Sequence, residues 1–89
     1  MKGSKFTSGD KVRIRRDTID PDVNIDIGGW TGHIGKIDLD NNSTWLYEVI
    51  FDKETIKGMS YKHIRKCDRM NLNHEMIYLD GNDLELVKK

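Results

Sequence analysis

Four groups of side chains in this 89-residue chain have the type and spacing to do chemistry. The first is acidic. Asp20, Asp22, Asn24 and Asp26 fall at alternate positions, as the early ligands of a calcium loop do, and Ca²⁺ wants several oxygens at close range. An EF-hand loop counted from Asp20 needs glycine at its sixth place and glutamate at its twelfth; those places hold Ile25 and Thr31. The segment therefore reads as a solvated acidic face, with Asp20, Asp22 and Asp26 as the ligands if a Ca²⁺ ion does bind. The second group is basic. Lys62, Arg65, Lys66 and Arg69 recur at helical spacing and so share one helix face. Such a stripe is solvated, contacts phosphates of a nucleic acid, or meets an acidic protein partner.

The third group is aromatic: Trp30, Trp45 and Tyr47. Aromatics in a chain this small usually fill the core, but Trp30 follows two glycines at the foot of a loop and is a candidate contact for a protein partner. The fourth group is His63 and Cys67, four residues apart, with His74 further on. A Cys–His pair can make a nucleophile, and Cys/His sets can bind zinc. Here there is one cysteine, no CxxC and no evident orienting carboxylate, so Cys67 reads as a buried, inert thiol and the protein as a non-enzyme with no cofactor.

The elements that must position these groups are mostly strands. Lys11-Val12-Arg13-Ile14-Arg15 alternates, with Val12 and Ile14 facing in. Residues 17–27 form a loop whose second half reads as an extended arm, with Val23, Ile25 and Ile27 on one side. Gly28-Gly29-Trp30-Thr31-Gly32-His33-Ile34-Gly35-Lys36-Ile37 leads into a second strand over about residues 31–39. Its apolar phase slips between Ile34 and Ile37, which predicts a bulge near Gly35. Asp40-Asn41-Asn42-Ser43 is a hairpin turn by composition. Trp45 to Phe51 is a third strand with Tyr47, Val49 and Phe51 facing in. The spacing then predicts a helix over about residues 60–72, capped by Ser60, with Tyr61, Ile64, Cys67 and Met70 along its apolar stripe. Two short strands, Met76 to Leu79 and Leu84 to Val87, close the chain around a tight turn.

The totals bound the rest. Eighty-nine residues suffice for one domain, read as residues 9–89 behind a flexible arm at 1–8. The charge sums to zero but runs in blocks: +5 over residues 1–16, −7 over 17–55, +4 over 56–74 and −2 over 75–89. No apolar run approaches the roughly 20 residues of a membrane helix. With a single cysteine and no apolar leader at Met1-Lys2-Gly3-Ser4-Lys5, the expected setting is the cytoplasm.

Taken together, the strand order resembles the SH3-like barrel superfamily. Gly9-Asp10-Lys11-Val12-Arg13-Ile14 looks like its first strand, and Gly29-Trp30-Thr31-Gly32-His33-Ile34-Gly35-Lys36-Ile37 resembles its G-x-x-G-x-I/V second strand, as in KOW modules. Tyr47 to Asp52 and Ile77 to Val87 are similar to its later strands, the latter with a single 3₁₀ turn. Asp20-Pro21-Asp22 with Ile27-Gly28-Gly29-Trp30 also resembles small bacterial SH3-like domains. The resemblance implies a mainly β fold: a small SH3-like barrel of five to six strands with one inserted helix. It implies a binding module of a bacterial cytoplasm, most simply for another protein or an acidic region of one. That partner would be held at Trp30 and the basic helix Lys62, Arg65, Lys66 and Arg69, with nucleic acid as the alternative.

Overall fold

A computed structural model describes residues 4–87. Five antiparallel strands form one sheet: β1 (Lys11–Ile14), β2 (Thr31–Leu39), β3 (Trp45–Phe51), β4 (Met76–Asp80) and β5 (Leu84–Leu86). Their order is β4-β3-β2-β1-β5, so β4 and β5 are the two edges. The expected mainly β fold is present, but the sheet is open: among the described residues no ladder joins β4 to β5. A flat sheet of five strands would hold its edges about 19 Å apart. The short 3₁₀ turn Gly81–Asp83 spans from β4 to β5, and the four residue steps from Asp80 to Leu84 reach at most about 14 Å. The sheet must therefore curl.

The curl is built into β2. Its register on β3 shifts between Ile34 and Ile37, the bulge expected at Gly35. The bulge takes the Lys36 N–H out of the ladder, and the Glu48 carboxylate accepts it at 3.0 Å. A Cβ on Gly35 would lie 2.3 Å from that carboxylate oxygen. Gly32 is required more strictly: a Cβ there would sit 2.3 Å from the Ile50 carbonyl oxygen, which is backbone and cannot move aside.

The concave side of the sheet holds the core. Val12, Ile14, Tyr47, Val49 and Phe51 are buried as their alternation predicts, joined by Ile27, Ile34, Leu79 and Leu84. The core also takes Phe6, only 4% exposed, whose ring stands edge-on to Tyr47 at 5.1 Å. The Tyr47 hydroxyl accepts the Lys5 N–H at 2.8 Å. Packed structure thus begins before residue 9, inside the segment expected to be an arm; residues 1–3 of that segment lie outside the described residues. A buried tyrosine hydroxyl needs a partner, and the Lys5 backbone supplies it.

Between β3 and β4 the chain forms two helices where one was expected: α1 (Lys53–Gly58) and α2 (Tyr61–Arg69). Asp52 caps α1 by accepting the Thr55 N–H at 2.9 Å. Ser60 caps α2 as expected, accepting the His63 N–H at 3.1 Å. Met59 and Ser60 are extended and separate the two. The start of α2 is therefore as read, but it stops at Arg69 rather than near residue 72. Asn71, with φ of 58°, takes the left-handed position there. Leu72 N–H then reaches the Cys67 carbonyl at 2.8 Å and Asn71 N–H the Asp68 carbonyl at 3.1 Å, a Schellman stop.

The loop over residues 17–27 is not an extended arm. Ile19 and Asp26 pair across it, Asp20 N–H donates to the Ile25 carbonyl at 2.8 Å, and Asn24 turns the chain with φ of 57°. It is a tight hairpin with Val23 and Ile27 buried beneath.

Candidate functional site

Helix α2 and this hairpin border a cleft of about 240 Å³ at the end of the sheet. Asp20 and Asp22 border it from the hairpin, Trp30 and Phe51 from its floor, His63 and Cys67 from α2, and Leu72, Met76, Ile77 and Tyr78 from the turn into β4. The Schellman stop of α2 places Leu72, and β4 begins four residues later. Leu72 and Tyr78 are 37% and 43% exposed at the mouth.

His63 and Cys67 occupy successive turns of the inward face of α2, both buried. The His63 Nε2 lies 3.6 Å from the Cys67 Sγ. The imidazole stands edge-on to Trp30 at 5.0 Å, and Trp30 in turn stands edge-on to Phe51 at 5.4 Å. His63 Nδ1 is buried with no hydrogen-bond partner among the described residues. Burial lowers the His63 pKa below its usual value, against the opposing pull of Asp20 and with a small push from His74. Burial also raises the Cys67 thiol, with Asp20 and Asp22 adding to the effect. A thiol pushed upward stays protonated at neutral pH, the opposite of what activates a cysteine nucleophile.

Asp20 is 5% exposed, and its Oδ1 is committed to the hairpin, accepting the Asp22 N–H at 2.8 Å and the Val23 N–H at 3.4 Å. Asp26 makes the same kind of turn with the Gly28 N–H at 2.9 Å, and Asp22 is exposed. Of the expected Ca²⁺ ligands, Asp20 and Asp26 thus each accept backbone N–H groups of a local turn, and the Asp22 side chain is exposed. Among the described residues no three His, Cys, Asp or Glu side chains gather as a metal set. Aspartates at alternate positions of a hairpin cap its backbone amides first, which is the competing use of such spacing.

The basic stripe is divided. Lys62, Arg65 and Arg69 are exposed along α2, and Arg65 stacks on the exposed Tyr61 ring at 5.5 Å. Lys66 leans into the hairpin, its Nζ donating to the Val23 carbonyl at 3.4 Å. The expected apolar stripe is met in part: Cys67 is buried and Ile64 packs against the core. Tyr61 and Met70 point outward, 72% and 50% exposed, and His63 takes the inward place beside Cys67. His63, which stands against Trp30, shares the inward side of α2 with Ile64 and Cys67. Trp30 is half-buried: it floors the cleft and does not stand free on the surface. His63 was legible only as a partner of Cys67; its place against Trp30 depends on how α2 docks.

Comparison with protein-family models, with curated proteins and with solved structures returned no match. The fold and the cleft therefore define the class as far as a small, mainly β protein with a helical insertion over one end of a curled sheet.

Proposed function

We propose that this protein is a non-enzymatic binding module on a small SH3-like fold, and that it takes a segment of another protein at the cleft beside Trp30. The observation that carries this is the continuity of the cleft with the free outer edge of β4. Phe51 N–H donates to the Glu75 carbonyl at 2.9 Å, which sets the hydrogen-bonding phase of the β3–β4 pair. Ile77 and Leu79 then turn their peptide groups toward β3, and Tyr78 turns its own outward, at the mouth of the cleft. An edge strand with unpaired peptide groups beside an apolar pocket is a common way to hold an extended peptide. The strand order and the curl of the sheet support the SH3-like assignment. A buried, free Cys67 suits a reducing cytoplasm.

Nucleic acid is the second reading, and the exposure of Lys62, Arg65 and Arg69 on one face of α2 favours keeping it. Two measurements separate the readings. Capture of a partner from a soluble extract by the wild type, lost with Tyr78→Ala and kept when Lys62, Arg65 and Arg69 are changed to Glu, supports the cleft. Amide shifts confined to residues 61–70 on adding an oligonucleotide pool at low salt, reversing as salt rises, replace it with phosphate binding.

A further inference from the structure

Away from the cleft, positive charge gathers around a second pocket. It holds about 300 Å³ and is lined by Arg13, Ile14, Arg16, Gly29 and Glu85, none of which borders the cleft beside Trp30. Its base is fixed. Ile14 is buried at the end of β1; its N–H donates to the Trp30 carbonyl and its carbonyl accepts the Gly29 N–H, both at 2.8 Å. The carboxylate in the lining is already answered. Arg13 and Glu85 face each other across the β1–β5 ladder, and the Arg13 Nε–H donates to Glu85 Oε1 at 2.8 Å. That bond, together with the charges of Arg13 and Arg15, outweighs desolvation and holds the Glu85 carboxyl below its usual range. The Nη donors of Arg13 take no partner among the described residues, and Arg16 is exposed and makes no ion pair among them. Arg13, Arg15 and Arg16 thus stand about one carboxylate, a surplus of two positive charges. Asp17 and Asp83, the next carboxylates along the chain, neither line the pocket nor pair with an arginine among the described residues.

We propose that this pocket binds a phosphate monoester group, held between the guanidinium groups of Arg13 and Arg16. The proposal goes beyond the reading of the cleft and stands without it. A guanidinium presents its donors in a planar fork that matches phosphate oxygens two at a time. The Arg13 fork is oriented in advance by its bond to Glu85, so less freedom is lost when its remaining donors are engaged. Charge selects the kind of anion. A phosphate monoester carries about −1.5 to −2 near pH 7 and answers the whole surplus, whereas a carboxylate or a phosphodiester carries a single charge. A volume of about 300 Å³ lies at the small end of ligand sites, with room for a phosphate and the first atoms of the group that bears it. A cation is disfavoured by the three arginines.

The test is a titration of the labelled full chain at about 0.1 M salt, where charges farther apart than about 10 Å are largely screened. The probes are Nα-acetyl-phosphoserine methylamide, Nα-acetyl-glutamate methylamide and dimethyl phosphate. The phosphoserine compound is expected to give saturable shifts at the Arg13 and Arg16 Nε–H signals and at the amides of residues 13–16, Gly29 and Glu85. The other two should bind at least about tenfold more weakly, since each offers one charge to the same donors. Arg16→Gln removes an exposed guanidinium that makes no ion pair among the described residues, so the fold is kept, and phosphoserine binding should weaken at least about tenfold. Lys57→Gln removes a positive charge from α1, outside the pocket, and should leave binding unchanged. No saturation, shifts lying only at residues 61–70, or equal weakening by Arg16→Gln and Lys57→Gln overturns the proposal. Dimethyl phosphate binding as tightly as the phosphoserine compound overturns it in favour of a nucleic-acid backbone, and equal binding of the glutamate compound overturns it in favour of a general acidic partner. Within a positive result, the phosphoserine compound binding more tightly than glycerol 2-phosphate assigns the group to a modified protein side chain; the reverse order assigns it to a free small phosphate.

Discussion

Burial keeps the His63 imidazole neutral, and this sets how the fold responds to acid. In the unfolded chain the ring titrates near its ordinary 6.5, and in the fold it titrates lower, because desolvation outweighs the attraction of Asp20. Between those two values the unfolded state binds a proton that the folded state does not. The contribution of His63 to stability is therefore complete above pH 6.5 and is lost as the pH falls below it toward the folded value. Urea unfolding of wild type and His63→Gln from about pH 5 to pH 8 should show a steeper loss just below pH 6.5 in the wild type. Parallel profiles for the two proteins would show that the ring is not held neutral. Two glycines make the opposite kind of pair. Gly32→Ala drives a methyl into the Ile50 carbonyl and should cost about 1–3 kcal/mol or more. Gly58→Ala, at the end of α1 with open space around it, should stabilise by up to about 1 kcal/mol. Thermal melting of both variants gives the two signs directly.

Helix α2 is nine residues long, too short to persist in water without its caps and its docking. The Ser60 hydroxyl at one end and the Asn71 turn at the other hold it between β3 and β4 and so place His63 over Trp30. Ser60→Ala should cost about 1 kcal/mol by denaturant unfolding. Because the same cap positions the cleft wall, the variant should also raise hydrogen exchange at residues 63–67 before the strands are affected. Exchange rising equally in β2 and β3 would mean that α2 is not a separable unit. At the neighbouring cap, burial pushes the Asp52 carboxyl up, but the bonds from Thr31 and Thr55 outweigh it and the net shift is downward. Both of its oxygens are thus committed, one to the α1 cap and one to the Thr31 hydroxyl at the start of β2.

At the scale of the whole molecule, stability rests on a core that draws on the chain from Phe6 to Leu84. Domains of this size hold only about 5–15 kcal/mol in total, so one large core residue is a sizeable share. Phe6→Ala removes a ring packed edge-on to Tyr47 and should cost about 3–5 kcal/mol in denaturant unfolding. A loss below about 0.5 kcal/mol, the scale of an exposed position, would mean that the segment before β1 is not part of the core. The same packing explains why the sheet curls: Gly81 lies against Tyr47, where a Cβ would come within 3.2 Å of its ring, and the short turn there draws β4 toward β5.

Alternation along β1 and β3, the phase slip at Gly35, the Asp40 hairpin turn and the Ser60 cap were legible in residue order, because each rests on neighbours a few positions apart. The acidic hairpin and α2 were legible as segments but not in their final use. Whether Asp20 faces a cation or a backbone amide depends on how a hairpin closes. Whether Tyr61 or His63 turns inward depends on where Trp30 lies beneath the helix. Phe6 gave no periodic signal because it stands alone, and its burial comes from a tyrosine 41 positions away in sequence. Local pattern determines which segments become strands and helices. Only the docking of α2 and the hairpin over the end of the sheet decides that a histidine, an aspartate and a tryptophan line one cleft, because that meeting depends on contacts between segments far apart in the chain.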